Sequence, residues 1–209
     1  KTDLNASVVA FGAWGIGGGI VWPDMSLGVK DVERLLDAAT ELGINYIDTA
    51  PVYGTGVSED LLGKALKGGR REKFLLQTKC SLNWRGDGGN YHYERDGVTV
   101  NNDTSARAVK QDVEDSLKRM GTDYIDLIVV HYVCKDWPVE ETMGALQELI
   151  KEGKIRAVGL SNSQPGDLEE YSKYGTVALV QEFFSLLSPY HGGDYFPVTD
   201  KHGTTFQVY

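Results

Sequence analysis

Cysteine is scarce in this chain: Cys80 and Cys134 are the whole supply across 209 residues. Two thiols make no disulfide framework and fit a reducing compartment better, so a cytoplasmic location is expected. The glycosylation sequons at Asn5 and Asn102 then carry little weight. No apolar run is long enough to span a bilayer, and Lys1-Thr2-Asp3-Leu4-Asn5 lacks the apolar core of a signal peptide. Positive charge is also short, with 21 Lys+Arg against 30 Asp+Glu and a net charge of −9. With no basic run, a nucleic-acid partner is disfavoured. Whole chemistries lack their motifs: there is no G-x-S-x-G elbow, no H-E-x-x-H and no paired Cys/His ligand spacing, so no metal is expected. With 41% hydrophobic side chains, the chain can bury one core, read as a single domain over 1–209.

Short β-type runs alternate with amphipathic helices at a steady pace. Strands are expected at 7–12, 44–48, 74–79, 125–131, 155–161, 177–181 and 204–209. Between them, apolar residues recur at helical spacing: Val32, Leu35, Leu36, Ala39, Leu42; then Leu61, Leu62, Ala65, Leu66; then Val109, Val113, Leu117, Met120; then Met143, Leu146, Leu149, Ile150. Ser58 reads as the cap of the second helix. Gly153 sits where a left-handed residue would end the fourth. Ser163 and Pro165 read as cap and first-turn proline of the next. Residues 81–103 break the rhythm as a long Gly- and aromatic-rich loop, whose Trp84, Tyr91 and Tyr93 are read as a wall of the substrate mouth.

Repeated strand–helix units imply a parallel sheet flanked by helices. An open doubly wound sheet would want a G-x-G-x-x-G fingerprint after its first strand. Gly15-Ile16-Gly17 has Ile20 where the third glycine belongs, and Val21-Trp22-Pro23 is not a helix start, so the fingerprint fails. Asp48, Lys79, His131, Asn162 and Gln181 each fall at or just beyond a strand's C-terminal end, where closed barrels build their active sites. The α/β reading is therefore a (β/α)8 TIM barrel.

Those strand tips suggest a chemistry. Asp48, Tyr53, Lys79 and His131 would place an acid, a phenol, an amine and an imidazole around one cavity. A free Tyr titrates near 10; a nearby ammonium lowers that value, and a carboxylate keeps the ammonium charged and in place. The imidazole can hold the substrate oxygen beside the phenol. Such a set suits carbonyl reduction by hydride, which needs a proton donor aimed at a developing alkoxide. Cys80 falls on the opposite face by strand alternation and reads as packing.

Gly12-Ala13-Trp14, Asp48-Thr49-Ala50 with Tyr53-Gly54, Ser58-Glu59, Lys79, the run from Leu117 to Leu127, His131, the run from Gly153 to Asn162 and Gln181 together resemble the aldo-keto reductases. The likeness covers essentially the whole chain, and its tail is nearest the bacterial and plant-type branch that includes the potassium-channel β subunits. It implies NAD(P)H-dependent reduction of a small-molecule aldehyde or ketone, with Tyr53 as general acid, Lys79 and Asp48 as its tuning pair, and His131 orienting the carbonyl. NADP(H) is the expected cofactor, NAD(H) its alternative. Ser161, Asn162 and Gln181 match holders of the nicotinamide carboxamide, Tyr209 the aromatic that stacks on its ring, and Trp14 a substrate-pocket position. Tyr132 stands where many relatives carry Trp or Phe, which bears on substrate choice. The family's N-terminal hairpin and eighth unit, the latter carrying the cofactor phosphate contacts, are not in this sequence; the expectation is that the protein continues past Tyr209. Two rival readings are an interaction subunit of the same fold and a sugar or polyol dehydrogenase running oxidatively.

Overall fold

The computed structural model describes residues 2–19, 22 and 27–209. The reading of Val21-Trp22-Pro23 as no helix start falls outside these residues, Trp22 apart, as does Lys1. Seven strands form one parallel sheet: β1 Phe11–Gly12, β2 Tyr46–Asp48, β3 Leu75–Cys80, β7 Ile125–Val130, β8 Ile155–Ser161, β9 Leu179–Glu182 and β10 Thr205–Val208, hydrogen-bonded in that order. Helices connect them: α1 Val29–Glu41, α2 Val57–Ala65, α3 Ala106–Met120, α4 Val139–Lys151, α5 Pro165–Tyr171 and α6 Tyr190–His202.

The sheet is curled, and side chains prove it. Asp48 of β2 and Gln181 of β9 hydrogen-bond at 2.6 Å, yet four strand spacings separate them in the order. In a flat sheet that would be about 19 Å. Tyr46 of β2 reaches Gln207 of β10 at 3.3 Å in the same way. Alternation along each strand then defines two layers. The outward residues, with the helices, make the large core, including Ile47, Leu76, Ile128, Val158 and Val180. The inward residues make a smaller one from Tyr46, Leu127, Val129, Ala157 and Leu179. This is the curl of a (β/α)8 barrel.

Several local expectations change. Residues 7–10 are not strand: Ser7 bonds Asn45 and the Val9 carbonyl, and Val8 and Val9 are exposed. On α1, Leu35 and Leu42 face solvent while Val32, Leu36 and Ala39 are buried. The cap of α2 is Gly56, left-handed at φ 96°. Ser58 is the second residue of the helix, and its hydroxyl instead joins Thr49 Oγ1 and donates to the Ala13 carbonyl, both at 2.9 Å. Gln164 caps α5, with Pro165 in the first turn as expected, and Ser163 donates to Glu182 at 2.8 Å.

The segment 81–103 is not a loop. It folds as a three-stranded antiparallel sheet of β4 Leu82–Asn83, β5 Asn90–Arg95 and β6 Val98–Asn102, in the order β4-β6-β5. Asp96-Gly97, both at positive φ (53° and 73°), makes the two-residue turn that an Asp-Gly pair favours.

Candidate active site

Tyr53 sits in the turn between β2 and α2, and its placement depends on glycine. A Cβ on Gly17 would lie 2.6 Å from the Tyr53 carbonyl carbon, and one on Gly54 would lie 2.1 Å from the Gly17 oxygen. Two backbones thus meet where no side chain fits. The glycine-rich stretch after β1 is a seat for Tyr53.

Strand ends bring the partners to it. Lys79, 1% exposed, donates from Nζ to Asp48 Oδ1 at 2.6 Å, to the Thr49 carbonyl at 2.9 Å and to the Tyr53 hydroxyl at 3.2 Å. Asp48 also accepts from the Gln77 amide on Oδ1 and the Gln181 amide on Oδ2, each at 2.6 Å. Tyr46 in turn donates to Gln77. Five inward-facing polar side chains thus fill a section of the barrel interior, which a buried carboxylate requires. Gln77 was not singled out from the sequence; its signal was its position two residues before Lys79, on the same strand face.

Charge states follow. Burial pulls the Lys79 ammonium down, but Asp48 and Tyr53 outweigh it and hold the group above its ordinary value. Burial, and then the charge of Lys79, pushes His131 well below the usual imidazole range. It is therefore neutral at pH 7. Its ring meets the Tyr53 ring edge-on at 6.2 Å and lies 5.4 Å from Tyr132; its Nδ1 is buried without a hydrogen-bond partner among the described residues. The Tyr53 phenol corrects the expectation from sequence. Lys79 does lower it, but burial, the larger effect, together with Asp48 leaves it above 10.

All four line one cavity of about 670 Å³. Trp14, Tyr132, Ser161, Asn162, Gln181 and Tyr209 line it as well. Trp14 stacks on Tyr53 at 6.0 Å. Trp84 does not: it lies beneath the Arg119 guanidinium at 5.5 Å, and Tyr91 is exposed. Of the three aromatics read as a wall, Tyr93 reaches the cavity, joined by His92 and Arg95, which sequence alone did not single out.

At the other side of the cavity Asn162, left-handed at φ 48°, turns its amide onto the His131 carbonyl at 3.0 Å and accepts from the Tyr209 hydroxyl. Ser161 Oγ donates to the Gln181 carbonyl at 2.9 Å. Hydroxyl and amide groups set beside a half-exposed tyrosine ring suit a carboxamide-bearing aromatic ring, so these residues fit the nicotinamide end of a dinucleotide.

Comparison with known proteins points to one family. A family model described as the aldo/keto reductase family matches residues 8–209. The NADH-specific methylglyoxal reductase of Escherichia coli is 36% identical over 214 residues, covering 100% of this chain and 64% of the relative. Among solved structures, the glycerol dehydrogenase of Gluconobacter oxydans superposes with a TM-score of 0.85 at 34% identity, over 99% of this chain and 60% of that one. The holo form of an aldo-keto reductase from Bacillus halodurans gives 0.80 at 34%, over 100% and 63%. The chain spans less than two thirds of the length of each of these relatives. Sequence motifs, sheet order and the convergence of strand ends on one cavity all lead to the same place: this chain belongs to the aldo/keto reductase family.

Proposed function

We propose that the protein reduces aldehydes or ketones to alcohols with a nicotinamide cofactor. The observation that carries this is the hydrogen-bonded series Asp48–Lys79–Tyr53 beside the half-buried neutral His131 in one cavity. A reduced nicotinamide, when bound, supplies the hydride. Ser161, Asn162, Gln181 and Tyr209 would hold its ring end. His131 donates an imidazole N–H to the carbonyl oxygen and sets it beside the Tyr53 hydroxyl. As negative charge builds on that oxygen, Tyr53 donates its proton and the alcohol is formed. The phenolate left behind is stabilised by Lys79 at 3.2 Å, which Asp48 holds in place, and solvent returns the proton.

Because the Tyr53 phenol is raised, it carries its proton at neutral pH, the state reduction needs. Oxidation needs the phenolate, so it belongs to alkaline pH. The likeness to a glycerol dehydrogenase supports this second direction, and the same residues serve both. For the cofactor we assign NADPH from the family resemblance, with NADH as the competitor raised by the NADH-specific relative; kcat/KM with each, on one aldehyde, decides. Tyr53→Phe tests the mechanism: kcat should fall by at least about 10²-fold, the scale of a lost general acid, with cofactor affinity kept. Near-wild-type turnover in that variant removes Tyr53 from the mechanism.

A further inference from the structure

The wall of the cavity built by the β5–β6 hairpin carries a feature the reduction step does not use. Strand alternation would send Tyr93 and Arg95 to one face and His92 to the other. The ladder breaks that rule: Tyr91 faces Asn101 and Tyr93 faces Val100, so His92 is an extra residue on β5. Such a bulge re-aims side chains, often beside active sites. Here it lets His92, Tyr93 and Arg95 all line the cavity that holds Asp48, Tyr53 and His131. His92 packs against Tyr132 at 4.5 Å, and the Arg95 guanidinium lies 5.0 Å over the Tyr93 ring, which orients the cation without neutralising it.

Arg95 is unusual in this chain. Each of the other seven arginines pairs with an Asp or Glu; Arg95 has no such partner among the described residues. Arg95 is exposed to solvent at the cavity wall, so in a chain with 30 acidic and 21 basic side chains its guanidinium is open to an anion entering the cavity. The other cation lining the cavity, Lys79, is committed to Asp48, and burial lowers His92 so that it adds no charge at neutral pH.

We propose that Arg95 is a specificity-determining residue, and that the substrates are carbonyl compounds bearing a carboxylate at the end remote from the carbonyl. The planar fork of a guanidinium takes a carboxylate through two hydrogen bonds. Trp14, Trp22 and Tyr132, also in the cavity wall, offer aromatic faces to the carbon chain between the two groups. This assignment rests on the carbonyl-reducing reading of the cavity.

The test compares straight-chain aldehydes ending in a carboxylate with methyl-ended aldehydes of equal length, across several lengths, in the wild type and in Arg95→Met. The wild type should favour the acid series, with an optimum at the length that spans Arg95 to His131. Arg95→Met should lose at least about tenfold of that acid-over-methyl ratio, mostly in KM, the scale of one hydrogen bond to a charged group. Added salt should erode the wild-type ratio. Calorimetric titration with straight-chain dicarboxylates reads the contact without turnover, and Arg95→Met should weaken it by a similar factor. A wild type with no acid preference, or an Arg95→Met variant that discriminates and binds dicarboxylates as the wild type does, overturns the proposal. An effect of Arg95→Met on cofactor affinity with the acid ratio unchanged also overturns it. Arg95-dependent dicarboxylate binding with no turnover of either series supports the anion site and overturns the carbonyl-reducing reading instead.

Discussion

Lys79 shows most directly how single residues would set the proposed chemistry. A buried ammonium costs several kcal/mol unless it is paired and hydrogen-bonded, and Lys79 meets that condition with Asp48, Tyr53 and the Thr49 carbonyl. Its positive charge is one of two influences lowering the Tyr53 phenol, the other being its hydrogen bond. Lys79→Met should therefore move the Tyr53 limb of the kcat–pH profile upward as well as lowering kcat; an unmoved profile would separate Lys79 from Tyr53. Gln77 acts one step further back. Fully buried, it accepts from Tyr46 and donates to Asp48 at 2.6 Å. Gln77→Met removes two hydrogen bonds, leaving Tyr46 its longer one to Gln207 and Asp48 those from Lys79 and Gln181. The expected loss of stability is about 1–3 kcal/mol, as for two hydrogen bonds at about 0.5–1.5 kcal/mol each, measured by urea denaturation. A loss confined to stability, with the pH profile of kcat unchanged, would show that Gln77 supports the fold and not the tuning of Asp48.

At the scale of elements, the short helical turn Gly15–Gly17 and the β2–α2 turn hold Tyr53 between them through backbone contact. Gly17→Ala forces these backbones apart, since its Cβ would lie 2.6 Å from the Tyr53 carbonyl carbon. Displacing a reacting group by about 1 Å can cost 10²-fold in rate, so kcat should fall by roughly that factor. Gly12→Ala, whose Cβ meets nothing within 4 Å, lies on the neighbouring strand and serves as the comparison; equal kcat losses in both would show that crowding at Tyr53 is not the cause. The hairpin β5–β6 is a second such device, since its bulge, and not its length, decides which side chains face the cavity.

For the whole molecule, two titratable groups give stability opposite dependences on pH. His131 is pushed well below its ordinary value, so the unfolded chain takes up its proton first. Its contribution is present above about pH 6.5 and is lost as pH falls below it. Burial raises Asp112 to about 7 against the pull of Arg85, so the folded state holds that proton more tightly. Its contribution is present below about pH 3.8 and is lost as pH rises toward 7. Between pH 7 and 5, His131→Gln should flatten the decline of the thermal midpoint, and Asp112→Asn should steepen it. Midpoints from scans at half-unit pH intervals check both signs, and an identical slope in all three proteins would remove both groups from the balance.

The order of strands and helices was legible in the sequence because apolar periodicity is local: Ile125–Val130 and Ile155–Ser161 appear as expected. So were Asp48, Lys79 and His131, since a polar side chain closing a buried strand is costly without a purpose. The antiparallel sheet at 82–102 was hidden because β4 is only two residues long and β5 is polar and aromatic with no buried residue, although Asp96-Gly97 was a usable turn signal. Helix α6 was hidden by Gly192, Gly193 and the internal Pro197. Residue type and spacing were enough for the family, the α/β alternation and the candidate site residues. Residue type and spacing could not show that Gln181 and Gln77 share Asp48, that Tyr53 is raised and not lowered, or that Arg95 faces the cavity while Trp84 turns away. Those outcomes depend on burial, on sheet curl and on a one-residue bulge, which arise from contacts between segments far apart in the chain.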